Sequence, residues 1–228
     1  MEGFRVVVTG AAGALGSAVV AELASRGARI AALDRPGAFA SAGGSWELSV
    51  ECDLTNEMVT ARAIADAAQR LGGLDGLACL AGGFAGDRPV HETPLALVKQ
   101  QFELNFVTAY NAVRAALPLF LAAGAGSIVC VASRPALRPV RGSVAYAVAK
   151  LALVKLVEAV AEEYRDDGIR ANAVAPSVID TPANRAAMPN ADVRRWVSPA
   201  EVARVIAFLL GPESGPVSGA VVPVYGRA

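Results

Sequence analysis

The sequence is short of histidine, short of cysteine, and without a surplus of either charge sign, and each shortage excludes something. Its 21 Lys and Arg offset 21 Asp and Glu, so there is no net field to recruit nucleic acid or an anionic membrane surface, and neither partner is expected. The three cysteines, Cys52, Cys79 and Cys130, sit in short apolar runs with no CxxC pair and no His at ligand spacing. They read as buried, inert thiols, and no metal site is expected. The lone His91 lies between Pro89 and Pro94, in a loop, and is given no role. Mean hydropathy is high at +0.42. Even so, no apolar run reaches the roughly 18 to 20 uncharged residues that a bilayer crossing needs. The apolar excess is Ala and Val, as in buried strands and tightly packed helices. Met1 to Arg5 passes directly into a strand pattern without a basic leader, so a soluble cytoplasmic protein is expected.

What is present is an alternation. Short β-branched runs take turns with longer Ala-rich amphipathic stretches, the pattern of βα units feeding a parallel sheet. Strands are expected at Arg5–Thr9, Arg29–Asp34, Trp46–Asp53, Gly76–Ala81, Ser127–Ala132, Arg170–Ala175 and Ala220–Val224. Helices are expected at Leu15–Arg26, Asn56–Leu71, Leu95–Phe120, Ser143–Asp167 and Ser198–Leu210. This is an α/β chain with a Rossmann-type doubly wound parallel sheet of about seven strands and helices on both faces. At 228 residues it is read as one domain, residues 1–228. Pro36–Ser45 and Gly82–Pro94 read as loops, and the poorly periodic Ile179–Trp196 as a candidate lid.

The first strand runs into TGAAGALG, which spaces Gly10, Gly13 and Gly16 three apart at a strand-to-helix turn. Gly10 permits the tight turn, Gly13 lets a pyrophosphate approach the backbone, and Gly16 lets the helix pack on the sheet. The second strand ends in Asp34, where an acidic side chain binds adenosine ribose hydroxyls and repels the extra phosphate of NADP. NAD is therefore expected, with NADP possible because the adjacent Arg35 can reach that phosphate. Asp53, in CDLT, is either an acceptor for the adenine amino group or an ordinary acid at a helix start.

Downstream, YAVAK places Tyr146 and Lys150 four apart, on one face of a helix. A nearby ammonium favours the phenolate and brings a phenol toward the working pH range. Ser133 closes the run SIVCVAS at the sheet edge that also holds the glycine turn, where its hydroxyl can hold a substrate oxygen. Asn105, polar among apolar neighbours in FELNFV, needs hydrogen-bond partners, structural or catalytic.

Through TGAAGALG, Asp34, Asp53, Asn105, Ser133, YAVAK and IRANAVAPSVIDTP, nearly the whole chain resembles the short-chain dehydrogenase/reductase family. The resemblance implies that Tyr146 is the general acid/base and that Ser133 orients the carbonyl or hydroxyl of a small-molecule substrate. It implies that Lys150 lowers the Tyr146 pKa and binds the nicotinamide ribose, while Asn105 holds a water. It extends the cofactor contacts to Leu15, Leu54, Ala81, Gly82 and Gly83, with Pro176, Val178 and Thr181 along the nicotinamide, and implies pairing into homodimers or homotetramers.

The chain departs from the family pattern in two places. Ala14 stands where the second motif glycine usually is, and CLAGG replaces the usual Asn-Asn-Ala-Gly after the fourth strand, so Leu80, Ala81 and Gly82 substitute apolar contact for polar support. CLAGGFAG and DTPANRAAMPNAD also resemble segments of dihydropteridine reductases, which implies NADH-dependent reduction of quinonoid dihydropterin as an alternative. That group lacks counterparts of Ser133 and Asn105. A third possibility, from another class, is a dinucleotide-sensing protein without turnover, which the intact Tyr146, Lys150, Ser133 and Asn105 disfavour. Arg134, Arg138 and Arg141, near Ser133, are either solvated or suited to an anionic substrate group.

Overall fold

The computed structural model describes residues 1–40, 42–138 and 140–227. Ser41, within the expected loop Pro36–Ser45, lies outside them. In chain order the elements are β1 (Arg5–Thr9), α1 (Ala14–Ser25), β2 (Arg29–Asp34), β3 (Leu48–Glu51), α2 (Glu57–Leu71), β4 (Gly76–Cys79), α3 (Leu95–Phe102) and α4 (Thr108–Ala123). They continue as β5 (Gly126–Val131), α5 (Arg134–Leu137), α6 (Val144–Glu163), β6 (Ile169–Pro176), α7 (Pro182–Ala187), α8 (Pro199–Leu210) and β7 (Val221–Val224).

The seven strands are all parallel, in the order β3-β2-β1-β4-β5-β6-β7. Side chains alternate across the sheet: Val7, Leu33, Leu77 and Ile128 pack with α2, α4 and α6, while Val6, Ile30, Ala78 and Val129 pack with α1 and α8. Both faces are covered, which is why the strands read as unbroken apolar runs. From β1 the chain first builds outward to β2 and β3, then returns to place β4 on the other side. The crevice beyond the carboxyl ends of β1 and β4 is the topological switch point where such sheets hold ligands.

Several expected ends move, for reasons of pairing. β3 is an edge strand whose ladder among the described residues is with β2, from Ala31 opposite Leu48 to Asp34 opposite Glu51, so it stops short of Trp46 and Asp53. Trp46 packs edge-on against Phe39 instead, at 5.3 Å. β4 ends at Cys79, opposite Thr9, because β1 turns away there. The backbone N–H groups of Leu80 and Ala81 then donate to the Thr9 hydroxyl, at 3.2 and 3.4 Å. The expected helix Leu95–Phe120 is α3 and α4 joined by a π-helical turn, Glu103–Val107. By length and composition the stretch Leu95–Ala123 is apolar enough to cross a bilayer. Here Ala109, Ala112, Val113, Ala116 and Phe120 of α4 are buried where that helix meets α2, β4 and β5. α6 ends at Glu163 rather than Asp167, and the chain turns through Gly168 into β6. α8 begins with a reciprocal cap, in which Ser198 Oγ accepts from Glu201 N–H and the Glu201 carboxylate accepts from Ser198 N–H, with Pro199 at the first helical position.

Candidate active site

β1 delivers the chain into a turn at Gly10, held at φ +67°, where a β-carbon would lie 2.8 Å from the Ala81 nitrogen. At Gly16 an added β-carbon would sit 2.1 Å from the Gly10 carbonyl oxygen, so α1 meets the turn backbone to backbone. Gly13 precedes α1; no side chain caps that helix, and its first turn holds no acidic residue. Its first N–H groups are left for an anion, at the positive end of the helix dipole. Asp34 stands beside them, accepting from Ala12 N–H at 2.9 Å and Arg35 N–H at 2.8 Å. Arg35 is exposed, and Leu15 is half-buried against the α1/α8 side of the core. A dinucleotide pyrophosphate fits this donor set.

Past β3, Asp53 is exposed and accepts from the Thr55 N–H and hydroxyl, at 2.9 and 2.7 Å. These bonds hold its carboxyl below the usual range. The cap of α2 is Asn56, whose side chain accepts from Val59 N–H at 3.1 Å. Leu54 is buried, and its carbonyl accepts from Asn111 Nδ2 at 3.0 Å.

Across the crevice, Ser133 follows β5 and is buried at the start of α5. Tyr146 and Lys150 lie one turn apart on α6, with Lys150 Nζ 5.8 Å from the Tyr146 ring centroid. Burial raises the Tyr146 phenol above its ordinary value, while the Ser133 hydroxyl draws it down. Lys150, 4% exposed, donates to the Val131 carbonyl at 2.7 Å. Burial pushes its pKa down to about 8, opposed by the sulfurs of Cys130 and Cys79. Those two cysteines are register partners on β4 and β5. The Cys130 neighbour, and then burial, raise Cys79, and burial pushes Cys52 up to about 11. All three are free and buried, as inert thiols should be.

Asn105 sits fully buried in the π-helical turn, where one extra backbone residue re-aims the side chain. Its Oδ1 accepts from Gly83 N–H at 3.0 Å, and its Nδ2 donates to the Gly83 carbonyl at 2.9 Å and to the Gln101 carbonyl at 3.0 Å. A β-carbon on Gly82 would lie 2.6 Å from Asn105 Oδ1 and 3.2 Å from Lys150 Nζ, so Gly82 separates the two side chains. Three participants were not anticipated from the sequence. Thr9 anchors the Leu80–Ala81 backbone, Gln101 accepts from Ala85 N–H at 3.1 Å, and Phe84 packs edge-on against the Tyr146 ring, centroids 5.2 Å apart. Gln101 carried a signal, a polar residue four before Asn105 on the same helix; Phe84 carried none.

At the end of β6, Pro176 is buried, and the half-buried Val178 accepts from Val197 N–H through its carbonyl at 3.1 Å. Thr181 caps α7, its hydroxyl accepting from Asn184 N–H at 3.2 Å. The segment Ile179–Trp196 thus has internal order, including an Arg185–Asp180 pair at 2.6 Å. Arg134 is half-buried with its guanidinium 5.4 Å from the Tyr225 ring centroid, whereas Arg138 and Arg141 are exposed.

The family model described as Enoyl-(Acyl carrier protein) reductase, one of the short-chain dehydrogenases/reductases, matches residues 10–226. The chain belongs to the short-chain dehydrogenase/reductase family. It is 36% identical to a cis-4-hydroxycyclohexanecarboxylate dehydrogenase of Sinomonas cyclohexanicum, over 96% of this chain and 94% of that one. It is 32% identical to a 2-(R)-hydroxypropyl-CoM dehydrogenase of Xanthobacter autotrophicus, over 96% of both chains. Among solved structures, NAD+-bound xylitol dehydrogenase superposes with a TM-score of 0.91 at 25% identity, covering 99% of this chain and 98% of that one. The protein is an oxidoreductase that moves hydride between a nicotinamide dinucleotide and an alcohol or carbonyl substrate.

Proposed function

We propose that Tyr146 is the general acid/base of this oxidoreductase and that NAD is its preferred cofactor. The observation that carries the reading is the convergence of Ser133, Tyr146 and Lys150 at the sheet edge that holds the uncapped start of α1. A bound nicotinamide supplies or accepts the hydride. In the direction of reduction, Tyr146 Oη gives its proton to the substrate oxygen, which the Ser133 hydroxyl holds in place. Lys150, cationic below about pH 8, favours the phenolate left behind and offers N–H donors to the nicotinamide ribose. Asn105 fixes Gly83 and with it the backbone beside Lys150. Gly10, Gly13, Leu15 and Gly16 receive the pyrophosphate, and Leu54, Ala81, Gly82, Pro176, Val178 and Thr181 enclose the remainder of the dinucleotide.

Asp34 supports NAD over NADP: its carboxylate, fixed beside the turn, opposes a 2′-phosphate. Ser133 and Asn105 together favour carbonyl and alcohol chemistry over pterin reduction. We further propose a cytoplasmic homodimer or homotetramer. The support for assembly is exposed apolar surface on Phe102 and Leu104, on Tyr110 of α4, and on Val148 and Leu151 of α6, the helices that pair in the family. The test is a panel of alcohols, carbonyls and quinonoid dihydropterin assayed by nicotinamide absorbance with both cofactors. Turnover of an alcohol–carbonyl pair with NAD(H) is expected; activity confined to the pterin would replace this reading.

A further inference from the structure

We infer that Phe84 determines substrate specificity by offering its ring as an apolar wall to a cyclic or aryl carbonyl substrate, and that Gln101 is the positioning residue that holds it there. This rests on the reading of Tyr146 as the proton donor. Phe84 is 63% exposed, yet its ring meets the Tyr146 ring edge to face, at 5.2 Å and 78°. An exposed phenyl on a free loop tip is unremarkable; this one is bracketed. On one side Gly83 is bonded through both its N–H and its carbonyl to Asn105. On the other, Ala85 N–H donates to Gln101 Oε1, and Asp87 N–H donates to the Gly142 carbonyl at 2.9 Å.

Gln101 is 2% exposed, and its side-chain oxygen also accepts from Asn105 Nδ2 at 3.3 Å. One buried amide therefore couples the loop bearing Phe84 to the π-helical turn. The segments that follow β5 and β6 add apolar surface at the same sheet edge, with Leu137, Val140 and Met188 exposed. A substrate whose oxygen reaches Tyr146 Oη sets its carbon skeleton among these loops, beside the phenyl. A cyclic group gains apolar area against the phenyl that a short acyclic chain does not, and an aryl group gains an aromatic pair as well.

The experiment compares cyclohexanone and benzaldehyde with acetone and 2-butanone as NADH-dependent substrates of the wild type, Phe84→Ala, Gln101→Met and Gln101→Glu. The wild type is expected to favour the ring compounds. Phe84→Ala should cut the ratio of ring to acyclic kcat/KM by about tenfold, through KM, with NADH affinity retained. Gln101→Met should produce the same change of ratio, and Gln101→Glu, which keeps the acceptor, should restore it. An unchanged ratio in Phe84→Ala, or equal losses on both classes through kcat with a displaced pH profile, would overturn the inference while leaving the oxidoreductase reading intact. Turnover of these compounds that persists in Tyr146→Phe would instead defeat the reading on which the inference rests.

Discussion

At the scale of single residues, charge placement governs the chemistry. Alcohol oxidation needs the phenolate of Tyr146 and reduction needs its phenol, so kcat/KM should rise with pH for oxidation and fall with pH for reduction. Burial raises the phenol and the Ser133 hydroxyl lowers it, and the Lys150 ammonium on the next turn is proposed to favour the phenolate. Replacing Lys150 by Met removes that cation, and the midpoint of the oxidation profile is expected to move up by about one unit or more. A profile that stays in place would detach Lys150 from the proton chemistry. Asp34 acts by repulsion: the wild type should bind NADH at least about tenfold more tightly than NADPH, and Asp34→Ala should shrink that gap. Equilibrium titration by NAD(P)H fluorescence reads it directly, and equal affinities in the wild type would give Arg35 the deciding role.

The elements explain what the sequence does and does not disclose. Apolar runs alternating with amphipathic stretches made the sheet and its crossovers legible, because burial on both faces leaves a mark in every strand. The ends of β3 and β4 were not, since they depend on where β2 and β1 stop, a property of neighbours rather than of the run itself. The π-helical turn at Glu103–Val107 is equally silent, as a 3.6-residue period runs through it with one residue to spare. Asn105, Ser133, Tyr146 and Lys150 were named from motif and resemblance, and Gln101 was within reach as a polar residue one helical turn before Asn105, whereas Phe84 meets Tyr146 only through a loop whose course the sequence does not specify. Gly16→Ala drives a β-carbon into the Gly10 carbonyl and must push α1 off the turn. It should cost about 1 to 3 kcal/mol of stability, read by denaturant unfolding, and weaken NADH binding more than tenfold. Wild-type affinity in that variant would mean that the turn does not hold the pyrophosphate.

For the whole molecule, seven parallel strands put three separate sequence regions at one edge: the glycine turn near residue 10, the loop after β4, and the Ser133-to-Lys150 segment. None of the three makes a site alone. The exposed apolar surface of the α3–α4 stretch and α6 carries the proposal of a homodimer or homotetramer. Light scattering at micromolar concentration should report a dimer or tetramer, and a monomer would reject that proposal. In the proposed mechanism Tyr146 Oη moves the proton while the rest of the edge holds the dinucleotide. Its most direct test is Tyr146→Phe, assayed for turnover and for NADH binding in parallel. The expected result is a fall in kcat of about a hundredfold to ten-thousandfold with the NADH dissociation constant nearly unchanged; turnover at the wild-type rate would contradict the account.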